Sequence, residues 1–159
     1  MKNLSVAQKA YLAGFLDGDG SIYIRLKPNK TYKYRYQIAP YIVFFQSNKE
    51  RLGLAKLQQM TNVGYLRERK DKIIEYTIGD MPSIEELLQA IQPYLRLKKR
   101  QSIIMLEVIR LKKRIKNGHD FLKICKKIDR FQELNYSKKR LNNAVMVEKR
   151  LLKEKLLTP

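Results

Sequence analysis

Two acidic residues, Asp17 and Asp19, are separated by one glycine in a segment that reads LAGFLDGDG over residues 12–20. Small and apolar residues before them recur at helical spacing, which predicts a helix over about residues 5–17 that begins with a Ser5/Gln8 capping box. Carboxylates at the end of a helix oppose its dipole by about 0.3–1 kcal/mol each, and no neighbouring cation in the sequence relieves either acid. A bound metal would relieve them. In the alternative interpretation, residues 17–20 form only a turn before a strand.

Chemistry based on thiols or imidazoles has little support, because the sequence contains one cysteine, Cys125, and one histidine, His119. A zinc cluster needs several such ligands, and a hydrolase triad needs a histidine held beside a nucleophile. His119 falls in a predicted loop, and Cys125 lies on the apolar face of a predicted helix, which indicates a core position. Any chemistry is therefore expected from carboxylates, lysines and amides.

The charge balance is strongly basic, since 34 lysines and arginines against 15 aspartates and glutamates give a formal net charge of +19. A compact chain with this surplus repels itself, so a polyanion is the expected partner, and nucleic acid is the commonest one. An anionic membrane is the competing interpretation. No apolar run approaches the roughly 20 residues that span a bilayer, and residues 1–4 begin no signal peptide pattern, so neither a membrane partner nor secretion is expected.

The pattern along the chain predicts a single domain over residues 1–159, with an α+β fold that contains an antiparallel sheet. The expected order is helix, hairpin, helix, hairpin, helix, with a core over about residues 5–116 and a C-terminal helical extension over about residues 120–157. Capping boxes at Ser47/Glu50 and Ser83/Glu86 are expected to begin the second and third helices. The strands are predicted over residues 21–27, 32–45, 65–69 and 73–78, and the later helices over 98–116, from 120, and over 137–157.

One face of the predicted sheet is polar and cationic. The first strand alternates, with Ile22, Ile24 and Leu26 on the buried face. The residues expected to face outward from the strands are Tyr23, Arg25, Lys27, Gln37, Ala39, Tyr41, Val43, Arg67 and Arg69. A two-stranded ribbon fits the major groove of a duplex, where Arg, Lys and Gln pair with base edges. The alternative is that these side chains simply face water, as on any antiparallel sheet.

The nine residues LAGFLDGDG resemble the motif that names the LAGLIDADG homing endonucleases, with its small residues, two acids and final glycine. The motif occurs once, and family members with one motif are homodimers. The resemblance implies a curved antiparallel sheet that forms a DNA-binding saddle, and a site-specific double-strand DNA endonuclease of intron homing. Such an enzyme binds a long pseudo-palindromic duplex and hydrolyses one phosphodiester per strand across the minor groove, which leaves short 3′ overhangs. The motif helices of the two copies would pack through a stripe of Ala10, Ala13, Gly14 and Asp17.

The resemblance also implies a catalytic set of Asp19, Gln46 and Lys98. Asp19 and the backbone carbonyl of Gly18 would bind Mg²⁺, with Ca²⁺ or Mn²⁺ as substitutes in crystals, because hard oxygen ligands favour such ions. Gln46 and Lys98 resemble the family's water-positioning glutamine and active-site lysine. For Lys98 the alternative is one more cation at the start of a basic helix.

Position 50 departs from the family pattern. The family commonly has a basic residue four positions after the glutamine, and here that residue is Glu50. A capping box with Ser47 would explain a glutamate at this position. Lys49 or Arg51 is then expected to supply the missing charge.

The expected partners are double-stranded DNA and a second copy of the chain, with no small-molecule substrate. The residues expected to contact DNA are Tyr23, Arg25, Lys27, Asn29, Thr31, Tyr32, Gln37, Ala39, Tyr41, Val43, Arg67, Arg69, Glu75 and Lys138. Two alternatives stay open: a non-cleaving nucleic-acid binder such as an intron RNA maturase, and a basic ribosome-associated protein. The family's habit suggests an intron-encoded protein of a chloroplast or mitochondrion, or a prokaryotic cytoplasm.

Overall fold

A computed structural model describes residues 4–135 and 142–157 of the chain. The helices are α1 (Val6–Asp19), α2 (Arg51–Thr61), α3 (Met81–Ile91), α4 (Lys99–Lys112), α5 (Gly118–Gln132) and α6 (Ala144–Lys153), with short 3₁₀ turns at Asn48–Glu50 and Gln92–Tyr94. The strands are β1 (Gly20–Pro28), β2 (Tyr36–Ser47), β3 (Tyr65–Glu68) and β4 (Ile73–Ile78). They form one sheet in the order β1-β2-β4-β3, with antiparallel pairing of β4 to both β2 and β3. The α+β fold and its element order are therefore confirmed.

Helix α1 begins as predicted and ends two residues later than predicted. The Ser5/Gln8 capping box is present: the Ser5 amide donates to Gln8 Oε1 at 2.8 Å, and the Gln8 amide donates to Ser5 Oγ at 3.2 Å. The helix then continues through Gly18 to Asp19, and β1 starts at once with Gly20. A Cβ atom at Gly20 would lie only 2.8 Å from the carbonyl oxygen of Leu16, so this tight junction requires glycine.

The two other predicted capping boxes are wrong. Ser47 is still paired with Ile73 as the last residue of β2, and its Oγ accepts from the amide of Lys49 at 3.4 Å. A 3₁₀ turn follows, and α2 begins only at Arg51 without a side-chain cap. At α3 the cap is Asp80, whose Oδ1 accepts from the amide of Ser83 at 2.9 Å. In both places the chain enters the helix from a different residue than the spacing suggested.

The chain divides into two compact units. The first combines Met1–Ile22 with Pro40–Ile103, and the second combines Tyr23–Ala39 with Ile104–Pro159. In the first, the Phe44 ring stacks on Tyr76 at 5.4 Å and meets the edge of Phe15 at 5.8 Å. In the second, α5 packs against α6, and Cys125 of α5 is buried, which confirms its expected core position. The single domain over residues 1–159 stays a prediction.

Strand β1 has the predicted alternation, with Ile22, Ile24 and Leu26 buried. Strand β2 starts four residues later than predicted because residues 29–35 form a closed turn, in which the Asn29 amide donates to the Arg35 carbonyl at 2.8 Å. The last predicted helix would begin at Ser137, which lies outside the described residues. Helix α6 instead begins after Asn143, whose Oδ1 accepts from the amide of Met146 at 3.0 Å.

Candidate active site and nucleic-acid surface

The two acids at the end of α1 have different surroundings. Two positions along a helix differ by about 200° in direction, so Asp17 and Asp19 point to opposite sides. Asp19 is exposed, and its Oδ2 accepts a hydrogen bond from Gln46 Nε2 at 3.0 Å. Asp17 is only 9% exposed. The structure thus brings Asp19 and Gln46 together, as expected, and directs Asp17 elsewhere.

The Asp17 carboxylate binds the backbone of the segment that precedes α4. It accepts the amides of Arg96 at 2.6 Å, Leu97 at 3.2 Å and Lys98 at 2.8 Å. In return, Lys98 Nζ donates to the Asp17 carbonyl oxygen at 2.6 Å, one of the carbonyls that a helix end leaves without a helical partner. The expectation that no cation relieves Asp17 is therefore wrong, because a cation and three amides come from a segment about 80 residues away.

Lys98 lies half-buried beside both acids. Burial lowers the pKa of its ammonium group, and the negative charges of Asp17 and Asp19 partly oppose that shift. Such an ammonium group can stabilise a nearby phosphate, and its lowered pKa lets it release a proton more readily than an exposed lysine does. Asp19, Gln46 and Lys98 thus lie at one end of α1, on elements that are far apart in sequence.

The donor atoms at the end of α1 fit a hydrated divalent ion. The Asp19 carboxylate and the Gly18 carbonyl are hard oxygen donors, and helix geometry gives the Gly18 carbonyl no partner within α1. Among residues 4–135 and 142–157, no three His, Cys, Asp or Glu side chains cluster as a metal cage. Mg²⁺ suits such a sparse site because it keeps several of its waters and needs only one or two carboxylates.

The region around Glu50 does not contain the predicted capping interaction. Glu50 is exposed and makes no side-chain cap to α2. Arg51 Nη1 lies 3.4 Å from Glu68 Oε2, and Asn48 Nδ2 donates to Glu68 Oε1 at 2.9 Å. Arg51 therefore has a carboxylate partner on β3. The sequence pattern did not reveal Glu68, since nothing in its spacing links β3 to the start of α2.

The exposed stripe of α1 differs from the predicted one. Ala13 and Asp17 are buried, so their assignment to an interface stripe is wrong. Ala10 and Gly14 are exposed as expected, and a Cβ atom at Gly14 would have no neighbour within 4 Å. The exposed small residues are Ala7, Ala10, Gly14 and Gly18. The other side of the helix packs against the protein interior. The spacing of small residues alone could not show which side is buried and which is exposed.

Arginines of the second hairpin share the outer sheet face with Glu75. Arg67 stands opposite Glu75 in the register and donates to its Oε2 from Nε at 3.0 Å and Nη2 at 2.6 Å. Arg69 adds a weaker contact at 3.4 Å. Glu75 is buried at 7% exposure, whereas the side chain of Arg67 is 62% exposed. Glu75 therefore fixes the arginine, and the arginine faces solvent. Tyr41 is half-buried, and Val43 is covered at 2% exposure.

The far part of the first hairpin presents a second set of predicted contacts. Arg25 is exposed, with its guanidinium 5.0 Å from the centre of the half-buried Tyr23 ring, and Lys27 and Gln37 are half-buried. At the turn, Tyr32 is 39% exposed, and Asn29 Oδ1 accepts from the amide and hydroxyl of Thr31 at 3.0 and 2.7 Å.

Two of the predicted outward residues are not accessible. Ala39 is 4% exposed, and Val43, described above, is similarly covered. Both are short side chains on β2, an inner strand of the sheet. Lys138 lies outside the described residues.

Comparison with known proteins gives consistent matches. A sequence model of the LAGLIDADG endonuclease family matches residues 12–107. The DNA endonuclease I-CreI of Chlamydomonas reinhardtii is 37% identical over 131 residues, which cover 82% of this chain and 80% of the relative. The DNA endonuclease I-CvuI of Chlorella vulgaris is 32% identical over 101 residues, covering 64% and 63%.

The solved structures that match this fold include those of one of these relatives, I-CvuI. A crystal structure of the homing endonuclease I-CvuI with a DNA target and magnesium, in which the DNA is not cleaved, has a TM-score of 0.90 at 28% identity and covers 96% of this chain and 97% of that one. A second I-CvuI structure, with its own target and calcium, matches equally well. No helix in the described ranges combines the length and apolar character needed to cross a bilayer. From the extent of the family match and the identity to its members, the chain belongs to the LAGLIDADG endonuclease family.

Proposed function

We propose that this protein is a site-specific double-strand DNA endonuclease that initiates intron homing. The observation that carries the proposal is the grouping of Asp19, Gln46 and Lys98 at the end of the motif helix. The net charge of +19 supports a nucleic-acid substrate, and family membership supports cleavage. The I-CvuI complexes with DNA targets support a duplex as the ligand.

In this proposal the residues of the site have distinct tasks. Asp19 and the Gly18 carbonyl would hold Mg²⁺, which when bound would supply an acidified water ligand and neutralise phosphate charge. Gln46 fixes the orientation of the Asp19 carboxylate through its amide and uses its remaining hydrogen-bonding capacity to orient the attacking water. Lys98 places positive charge beside the phosphate, where charge develops as the P–O bond breaks.

The exposed face of α1 supports a homodimer. Ala7, Ala10, Gly14 and Gly18 leave a strip without bulky side chains, along which a second copy of the helix can approach closely. Such a pair brings two Asp19 side chains together, one for each DNA strand across the minor groove. A pseudo-palindromic target and short 3′ overhangs are the corresponding expectations, with sheet residues such as Arg25 and Arg67 reading the major groove on either side.

One observation favours a second candidate function. Glu50 stands where the family commonly has a basic residue, and Arg51 is engaged by Glu68. A protein that has lost this charge would suit a non-cleaving nucleic-acid binder such as an intron RNA maturase. The retention of Asp19, which disfavours phosphate binding unless a metal is present, supports the nuclease.

The direct experiment is cleavage of the matching intron-free locus by the purified protein with Mg²⁺, in parallel with an Asp19→Asn variant. We expect a staggered break with the wild type and intact DNA with Asp19→Asn, while both proteins bind the duplex in Ca²⁺. DNA that stays intact over a range of salt, combined with tighter binding of the intron RNA than of the duplex in gel shifts, favours the maturase. Equal cutting by Asp19→Asn contradicts the metal assignment.

We further propose that the protein acts on organellar DNA or in a prokaryotic cytoplasm.

A further inference from the structure

The turn between β1 and β2 has a defined shape. The Arg35 amide donates to the Tyr32 carbonyl at 2.8 Å, and the Asn29 amide donates to the Arg35 carbonyl at 2.8 Å. Arg35 has a φ of 61°, in the left-handed region that residues other than glycine, asparagine and aspartate rarely adopt. Such a conformation persists when surrounding contacts favour it. Contacts around Arg35 must therefore stabilise this conformation of the turn.

Arg35 is held from two sides. Its Nη1 donates to the Lys30 carbonyl at 2.7 Å, which spans the turn itself. Its Nε donates to Glu154 Oε2, at the end of α6 and 119 positions along the chain. One guanidinium group thus joins the inside of the turn to the C-terminal helix.

Aromatic contacts flank this ion pair on each side. The Tyr34 ring stacks on Phe121 of α5 with centroids 4.9 Å apart and planes 26° apart. The guanidinium of Arg150 on α6 lies 5.8 Å from the centre of the Tyr36 ring. We call the pairs Tyr34/Phe121, Arg35/Glu154 and Tyr36/Arg150 the tip contacts.

Glu154 links two of these contacts, those made by Arg35 and Arg150. Its Oε2 accepts from Arg35, and its Oε1 accepts from Arg150 Nε at 3.0 Å. Hydrogen bonds from Arg35 and then from Arg150 lower the pKa of the Glu154 carboxyl group, so it stays charged under ordinary conditions. Removing this one charge therefore weakens both arginine contacts at once.

The residues that the turn presents outward are suited to contact a ligand. Lys30, Thr31, Tyr32 and Lys33 are all exposed. If these residues moved freely, their cations would still bind phosphates but could not discriminate among base edges, because only fixed geometry gives sequence readout. Holding the turn before binding also removes the entropic cost of ordering it on the DNA.

We propose that Glu154 is a positioning residue for DNA recognition: through Arg35 it holds residues 29–33 in one conformation and so determines which base pairs the tip of the first hairpin accepts. This inference rests on the proposed function. It assigns to the end of α6 a role in specificity that requires no contact between Glu154 and DNA.

The first arm of the test measures the free protein. Hydrogen exchange of the Tyr32 and Arg35 amides is compared in the wild type, Glu154→Gln and the matched control Glu148→Gln, which removes a glutamate within α6. We expect exchange in the turn to accelerate about fivefold in Glu154→Gln, because a charge-assisted contact is lost. Glu148→Gln is expected to match the wild type.

The second arm measures specificity. Duplexes are selected from a randomised pool by binding in Ca²⁺, which makes the readout independent of cleavage. Tyr32→Ala and Arg67→Ala identify the base-pair positions read by the turn and by β3. In Glu154→Gln we expect a preference of roughly tenfold per base pair to fall to about twofold at the turn positions and to persist at the β3 positions. Arg35→Asn, which tolerates the positive φ, tests the same contact from the other side.

The outcomes are distinguishable. Loss of preference confined to the turn positions, in both Glu154→Gln and Arg35→Asn, supports the proposal. Unchanged exchange and unchanged preferences overturn it, and so does a loss spread equally over all positions, which would indicate a general structural role. If the wild type selects no duplex at all, the proposed function fails, and the exchange measurement still shows whether Glu154 holds the turn.

Discussion

Asp17 and Asp19 stand two positions apart in one motif, and their carboxylates contact different groups. The carboxylate of Asp17 is buried and serves the backbone of residues 96–98, whereas that of Asp19 is exposed and bound to Gln46. The first acid positions the segment that carries Lys98, and the second offers its oxygens outward. A substitution that removes only the charge should therefore affect stability at Asp17 and not at Asp19.

We expect Asp17→Asn to destabilise the protein and Asp19→Asn to leave its stability nearly unchanged. An asparagine has one acceptor oxygen for three amide donors, so at least one buried donor loses its partner, at about 1–3 kcal/mol. The exposed Asp19→Asn should change the free energy of unfolding by less than about 0.5 kcal/mol. Urea unfolding followed by circular dichroism measures both. Equal stability of the two variants would contradict the assignment of Asp17 to the backbone of residues 96–98.

The lowered pKa of Lys98 gives a pH dependence whose sign is fixed. The unfolded chain holds the Lys98 proton more tightly than the folded chain, so this residue's contribution to the free energy of unfolding rises as pH increases between the lowered pKa and 10.5. Lys98→Met should flatten the rise in urea midpoint over that window. Lys99→Met, which removes an exposed neighbouring lysine, is the control. A slope that is the same in all three proteins would refute the burial of the Lys98 ammonium group.

At the scale of elements, sequence patterns predicted the features that depend on residues close together in the chain. The Ser5/Gln8 capping box, the alternation of β1 and the second hairpin follow from spacing within a few residues, and they are confirmed. The Ser47/Glu50 box has the same spacing but does not form, because pairing with β4 keeps Ser47 in the strand. At Ser47 the strand pairing forms and the predicted capping interaction does not.

Contacts that join distant segments were beyond the reach of the sequence patterns. Asp17 meets residues 96–98, and Arg35 meets Glu154, across separations of about 80 and 119 positions. No spacing rule indicates such pairs. The candidate set of Asp19, Gln46 and Lys98 was instead identified through family resemblance, and the structure supplies the positions of these residues at the end of α1.

The junction of α1 and β1 yields a prediction for a single added methyl group. In Gly20→Ala the new Cβ would lie within 3 Å of the Leu16 backbone, so the helix end must shift, at a cost of about 1–3 kcal/mol. The same shift displaces Asp19 and should reduce cleavage. Gly53→Ala on α2, where a Cβ meets nothing within 4 Å, is the matched control. It should preserve cleavage and raise stability by up to about 1 kcal/mol, because alanine favours a helix more than glycine does. Thermal unfolding and cleavage rates test this, and a Gly20→Ala protein as stable and active as the control would show that the junction is not constrained.

At the scale of the whole molecule, the exposed small residues of α1 are the surface on which the proposed homodimer depends. Gly14 is exposed in the protomer and has open space where a side chain would stand. A larger residue there therefore costs the protomer nothing by steric contact. It would act only if a second helix occupies that space.

We expect Gly14→Leu to dissociate the dimer without unfolding the protomer. Overpacking a helix interface costs about 1–3 kcal/mol, which raises the dissociation constant of the dimer by roughly tenfold to a hundredfold. Gly53→Leu places the same side chain at an equally open helical glycine on α2 and should remain dimeric. Sedimentation velocity over a concentration series, with circular dichroism to establish folding, compares the three proteins. Because the proposed mechanism uses one Asp19 for each strand, a monomeric Gly14→Leu should also lose double-strand cleavage. A Gly14→Leu protein that stays dimeric and active would place the contact between protomers on another face of the molecule.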